Sequence, residues 1–349
     1  LSRLDRGGVE VAQVVRPLSL SNAVSQGKGR TIVDAAASAL MEALECWAAE
    51  RIDPTRIKVA TAREAGEEVR DLYAGCRVHG FDAGWDQLKL GWVEGYDLFS
   101  ERVIPVPLAL VDTVYTLPSP HPVAFPRSTR GLAAGPTMLA AIIHAGLEVL
   151  ERASLAAATR YTRSFPARRV DPFRVGGPLA SEILANLKAA DLAAGIWLIA
   201  AEHWLPVFRC EVIETEAHRE IAPMPGEGFA CDFTFDRALA KALLEAAQAR
   251  VTALAGARED ITRLAYPESY DREELDKRRR GFLAPEEAAD LPMELEQPAS
   301  PHAAMLAVMQ ALRSAGAEAA LVVPLHSSRD PDVEVIRLVA PPLKDFSSG

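Results

Sequence analysis

"SALMEALECWAAE", residues 38–50, is the stretch on which the reading of this chain turns. Alanine and leucine dominate it, as in a buried helix. Yet Glu42 and Glu45 stand three positions apart, and Ser38 lies four before the first of them. At about 100° per residue, positions i, i+4 and i+7 fall within an arc of about 60°. The rest of the circumference is apolar. A usual surface helix has a broad polar face and one apolar stripe; this segment inverts that pattern.

Two later segments repeat the geometry. His144, Glu148 and Glu151 share one spacing, and Lys241, Glu245 and Gln248 share the same one. Taken singly, each polar line reads as the solvated edge of a buried helix, because glutamate is usually exposed. Three repeats shift the balance. If the stripes converge, four carboxylates share a poorly solvated space, where unpaired charges cost several kcal/mol each and raise one another's pKa. Divalent cations relieve that conflict. Oxygen-only ligands suit Mg²⁺, which takes one or two carboxylates and completes its shell with water and phosphate oxygens. The spacing therefore predicts a Mg²⁺–nucleotide site built from the sides of helices.

Bulk properties narrow the alternatives. A chain of 349 residues, 49% hydrophobic and 25% charged, has an ordinary globular composition. A net charge of −10 argues against a nucleic-acid partner, which needs concentrated Lys and Arg. Cys46, Cys76, Cys210 and Cys231 form no CxxC pair, so neither a disulfide framework nor a zinc knuckle is indicated. No apolar run is long enough for a bilayer, and the first residues lack a signal pattern. A cytoplasmic location is expected, and the missing initiator Met suggests that residues upstream are absent.

Along the chain, residues 1–30 read as loop and short strand ending in "SQGKGR", which lacks the Walker A pattern. Placed before a helix running from about Asp34 to Arg51, that turn could bring Lys28 and backbone N–H groups to a phosphate. A charged helix over "TAREAGEEVRDLYAG" and strands over "GWVEGYDLFS" and "RVIPVPLALVD" follow. The Pro-rich "TLPSPHPVAFPRST" reads as a loop. Pro136 suits the first turn of the long second helix. Later come a helix near 180–195, two strands, the loop "IAPMPGEGFACDFTFD" and the third striped helix. The polar stretch 265–300 reads as a mobile excursion or insertion, before a closing helix and strands. The pattern predicts a single α+β domain over residues 1–349, with mixed or antiparallel sheets packed against helices.

With these elements placed, "GKGRTIVDAAASALMEALE", "GLAAGPTMLAAIIHAGLEVLER" and "GEGFACDFTFDRALAKALLEAAQAR" resemble the three signature blocks of the YcaO superfamily, in order. The tail "VEVIRLVAPPLKDF" is similar to the family's closing strand and proline turn. The resemblance implies a YcaO-type fold and an ATP-dependent enzyme acting on backbone amides of a peptide or protein. A nucleophile adds to the carbonyl, ATP phosphorylates the oxyanion, and loss of phosphate leaves an azoline, an amidine or a thioamide. Residue by residue it implies that Glu42, Glu45, Glu148 and Glu151 ligate Mg²⁺ ions bridging the ATP phosphates. It also implies that Arg152 contacts a phosphate, and that Ser38, Glu245 and Gln248 belong to the nucleotide pocket with Lys28 and Lys241. No catalytic residue is assigned.

Two positions depart from the family pattern. Cys46 stands where the first block usually has Arg, and Lys241 stands where the third commonly has Arg, which keeps the charge but loses the bidentate fork. Arg250 and Arg258 are candidates to compensate. The end "LKDFSSG" differs from the proline-alternating tail in which azoline-forming members often end, and no N-terminal leader-binding module is expected. Peptide capture is expected to need a partner, and members that work on thioamides beside a TfuA-like protein are the nearest likeness. A homodimer is compatible with this reading.

Two rivals stand beside it. One is a nucleotide-binding accessory protein, like the family member described as a factor for ribosomal-protein methylthiolation. The other is a metal-dependent hydrolase using paired acids. His203, His218, His302 and His326 sit apart without ligand spacing and read as surface or packing residues, whereas His144 shares the stripe of Glu148.

Overall fold

The computed structural model describes residues 1, 4–78, 84–161, 167–172, 177–199, 201, 203–216, 225–256, 258, 261, 266, 271–283 and 295–343. His218 lies outside them. The three striped segments are all helical: α1 (Ile32–Ala49), α4 (Met138–Tyr161) and α6 (Phe235–Ala255). Pro136 precedes α4 by two residues instead of occupying its first turn.

The chain forms two compact units, and the division falls within α1 and α4. The first unit comprises Leu1–Val15, Val24–Leu40 and Ala158–Gln297. Its strands β1 (Glu10–Val15) and β2 (Val24–Gly29) pair antiparallel. A four-stranded antiparallel sheet runs in the order β10 (Gly226–Cys231), β9 (Val207–Glu214), β8 (Leu192–Ile199), β7 (Ala167–Val170). Helices α5 (Pro178–Ala189) and α6 cover it, burying Ile183, Ile196, Phe208, Leu239 and Leu243 in one core.

Two glycine-rich segments read as turn or loop are strands. A Cβ on Gly27 would lie 2.1 Å from the backbone nitrogen of Ala39, and one on Gly228 would lie 2.3 Å from the carbonyl of Ala242. Glycine is needed there so that β2 and β10 can press against helix backbone. The polar stretch also differs from expectation. Within it, α7 (Asp271–Leu283) packs Leu275 and Phe282 against Ala193 and Ile213, so this part is docked. Residues 284–294 lie outside the described set.

The second unit comprises Arg16–Ala23, Met41–Ala157 and Pro298–Gly349. Its six-stranded sheet runs β3 (Lys58–Ala60), β4 (Leu90–Asp97), β11 (Leu321–Arg329), β12 (Asp332–Val339), β6 (Leu132–Gly135), with β5 (Arg102–Pro107) paired to β4. The charged segment expected as one helix is two, α2 (Ala62–Ala65) and α3 (Glu67–Ala74), separated at Gly66, whose φ of 120° helix geometry excludes. Tyr73, Trp92, Val106, Leu321 and Val323 fill the core on this side. Helix α8 (Pro301–Ser314) starts at Ser300, whose side chain accepts from Ala303 N–H. All described strand pairings are antiparallel, giving an α+β fold. Among the described residues, no helix is long and apolar enough to cross a membrane.

Candidate functional site

In the second unit, the C-terminal half of α1 carries Glu42 and Glu45, and α4 carries Glu148 and Glu151. The short strand β6 and the residue before it connect the two helices. Gly131 N–H donates to Glu148 Oε2 at 3.0 Å, and Ala134 N–H donates to Glu45 Oε1 at 2.7 Å. Ala48 and Ala49 of α1 pack with Leu132, Ala134 and Val335, which fixes the helix against this strand.

The electrostatics follow from that placement. Burial pushes the Glu45 carboxyl well above the usual carboxylate range; the Ala134 N–H pulls it back, and the charges of Glu148 and Glu42 raise it further. Burial likewise raises Glu148, against the opposing effects of Arg152, the Gly131 N–H, Arg337 and Arg130. Both side chains lie deep among protein atoms, yet each residue keeps some solvent contact. Glu151 is buried, with Arg152 Nε 3.6 Å from its carboxylate. Like charges held together in a desolvated place are the condition that a divalent cation relieves.

This donor set fits Mg²⁺. Among the described residues, no group of three or more His, Cys, Asp or Glu side chains forms a cluster that could hold a metal ion by itself. Mg²⁺ typically takes one or two protein carboxylates and fills its octahedron with water and phosphate oxygens. Cys46, in place of the family's arginine, is buried; burial and the Glu42 charge push its thiol up to about 11, so it is an unreactive packing residue. His144 is exposed on α4.

The remaining candidates belong to the first unit. Lys28 Nζ lies 2.7 Å from Glu245 Oε2, so the two residues expected near nucleotide pair with each other. Gln248 Nε2 donates to the Gln26 carbonyl at 2.9 Å. Ser38 is exposed on α1. Lys241 Nζ lies 2.6 Å from Asp232 Oδ2, and Arg237 reaches Oδ1 of the same carboxylate. Arg250 does not compensate for the missing arginine. It is 1% exposed and held between Asp5 and Glu214, at 2.8 and 2.6 Å, as a structural ion pair.

Three charged residues at these sites lie outside the three striped helices. Arg130 and Arg337 both act electrostatically on Glu148. Asp232 holds Lys241 in place. Arg337 sits in the closing strand "VEVIRLVAP", where a lone cation at an inward position was the available signal.

A family model described as YcaO cyclodehydratase, ATP- and Mg²⁺-binding, matches residues 26–344. An uncharacterized protein of Mycobacterium tuberculosis, present in two strains, is 33% identical over 264 residues, which are 75% of this chain. The chain spans only 58% of that relative's length. An uncharacterized protein in the tfuA 3′ region of Rhizobium leguminosarum bv. trifolii is 28% identical over 272 residues, 76% of this chain and 64% of its own. The structure of a YcaO from Methanopyrus kandleri bound with AMPPCP and Mg²⁺ superposes with a TM-score of 0.72 at 23% identity, covering 97% of this chain and 84% of that one.

Proposed function

The chain belongs to the YcaO family, ATP- and Mg²⁺-binding cyclodehydratases, and on that premise we propose that it activates backbone amides of a peptide or protein by ATP-dependent phosphorylation. The observation that carries this reading is that Glu45 of one helix and Glu148 of another are held by backbone N–H groups three residues apart, at Ala134 and Gly131, with Arg152, Arg337 and Arg130 acting on Glu148. In the second unit, Glu42, Glu45, Glu148 and Glu151 hold Mg²⁺, and Arg152 contacts phosphate. In the first unit, Lys28, Ser38, Lys241, Glu245 and Gln248 contact the nucleotide. Bound Mg²⁺ supplies the charge neutralisation that phosphoryl transfer requires. The protein's share is to hold the carboxylates in a partly desolvated position and to set cations beside them.

The product we favour is a thioamide, made with a TfuA-like partner. The relative located in a tfuA 3′ region supports this choice. A cytoplasmic setting and a homodimer complete the reading. The test has two arms. Isothermal titration of the purified chain with ATP should give binding only when Mg²⁺ is present. Co-expression with the products of neighbouring genes should yield a peptide whose mass shows either one oxygen replaced by sulfur or one water lost. No Mg²⁺-dependent ATP binding, or no modified peptide, would remove the proposal.

A further inference from the structure

The segment 111–128, proline-rich and without helix or strand, takes no part in the site as described so far. One side chain closes its neck: Arg337 of β12 donates from Nε to the Leu110 carbonyl at 2.9 Å and from Nη2 to the Ser128 carbonyl. Inside this loop Asp112 is 5% exposed. Its Oδ1 accepts from Arg127 Nη2 at 2.9 Å, and its Oδ2 lies 2.6 Å from His121 Nε2. Arg127 in turn stacks on the Tyr115 ring, 4.8 Å from its centroid, and donates to the Val114 carbonyl. The His121 and Asp112 side chains are 8% and 7% exposed, so the pair is shielded from water.

A carboxylate only accepts, so Nε2 is the donor in this contact and a neutral His121 keeps its lone pair on Nδ1. Among the described residues, Nδ1 has no hydrogen-bond partner. An imidazole whose far nitrogen is fixed by a buried carboxylate, which is itself fixed by an arginine, is a base with its orienter. Other groups also tie the loop down, with Thr113 Oγ1 donating to the Cys46 carbonyl at 3.3 Å and Tyr115 N–H to the Leu20 carbonyl at 2.8 Å, so the histidine is not its sole latch and adds a proton-accepting group. Arg337 connects it to the carboxylate site, because it stands opposite Leu132 in the β12–β6 register, next to Gly131, whose N–H holds Glu148.

We propose that His121 is the proton acceptor when the nucleophile adds to the amide carbonyl, with Asp112 and Arg127 as positioning residues. The nucleophile is a thiol, a hydroxyl or hydrosulfide. Its heteroatom lone pair forms the bond to the carbonyl carbon, the C=O π pair moves onto oxygen, and its proton passes to His121 Nδ1. The imidazolium so formed is balanced by Asp112. This inference rests on the proposed amide activation and adds to it a residue that neither the striped helices nor their cations supply.

The full chain, labelled with ¹⁵N-histidine, tests it by NMR, with H121Q identifying the resonances. His121 is expected as the Nε2–H tautomer in the wild type, and D112N should lose that preference. On the peptide obtained by co-expression, H121Q and D112N should each lower kcat by about 100-fold or more while KM and Mg²⁺–ATP affinity stay at wild-type values. D112N carries the kinetic arm if H121Q does not fold. An Nδ1–H tautomer in the wild type, or undiminished kcat in a folded variant that binds Mg²⁺–ATP normally, overturns the assignment of His121 alone. Failure of the wild type itself to bind Mg²⁺–ATP overturns the proposed function and this inference with it.

Discussion

The backbone N–H of Gly131 donates to Oε2 of Glu148 across 3.0 Å. Three residues further on, Ala134 makes the same kind of bond to Glu45. One short stretch of chain therefore holds a carboxylate from each of two helices by neutral donors, which position the charges without cancelling them.

Glu45→Gln and Glu148→Gln keep an oxygen for these N–H donors while removing a buried charge. Each variant should fold and unfold at or above the wild-type temperature without ligand. Each should also lose the stabilisation that Mg²⁺–ATP gives the wild type, about 2.7 kcal/mol when ligand is a hundred times its Kd. Thermal unfolding with and without Mg²⁺–ATP checks both halves. An undiminished ligand shift in both variants would remove these residues from the site.

Glu50 supplies a pH test that does not involve the cation site. Burial opposes its ionisation, but hydrogen bonds from Arg16, Ser21 and Ser19 outweigh that and lower its pKa from 4.5 to about 2. A depressed folded-state pKa gives stability that is present above the unfolded value and is lost as pH falls through the folded one. Urea unfolding should therefore show the wild type weakening between about pH 4.5 and about pH 2. Glu50→Gln should cost about 3 kcal/mol near neutrality by leaving Arg16 without its buried partner, and should show less of that acid dependence.

Lys241 separates a structural role from a ligand-binding one. Its ammonium meets the buried Asp232, which Arg237 also reaches, while Lys241 itself is 44% exposed. Lys241→Met should cost about 1 kcal/mol, a value kept small by solvent screening, and Lys241→Arg should restore it. Nucleotide affinity measured on both variants then reports whether the cation also serves phosphate. A fall in stability of equal size in Met and Arg variants would contradict the pairing.

Gly27→Ala tests the contact between β2 and α1 within the first unit. The added methyl would meet backbone atoms of Ala35 and Ala39 at 2.2 and 2.1 Å, which no side-chain rotation relieves. Destabilisation should reach the upper end of the about 1–3 kcal/mol typical of overpacking, or exceed it. Chemical denaturation measures it, and a variant as stable as wild type would show that β2 does not lie this close.

The narrow polar lines on α1, α4 and α6 were legible in the sequence because helical period converts spacing into direction without tertiary information. The three repeats raise the expectation that carboxylates converge, but the amides of Ala134 and Gly131 that hold Glu45 and Glu148 carry no such signal. The strands holding Gly27 and Gly228 were not legible, since glycine signals a turn and a close packing contact with the same letter. The pairing of Lys28 with Glu245 spans 217 positions, and Lys241 with Asp232 crosses from a strand end to a helix. Asp112 and His121 lie nine apart in a segment without period. Such partnerships depend on the path of the chain, which residue types alone do not specify.

Among the described residues, β6 ends its sheet, with a neighbour on one flank. Its outward amide at Ala134 is occupied by the Glu45 side chain, so the carboxylate that would grip an ion also sheathes a margin at which another polypeptide could add itself as a strand. Glutamine at position 45 preserves that sheath, whereas alanine strips it away. Precipitation of an alanine variant would then report self-association through bared backbone, quite apart from any loss of chemistry.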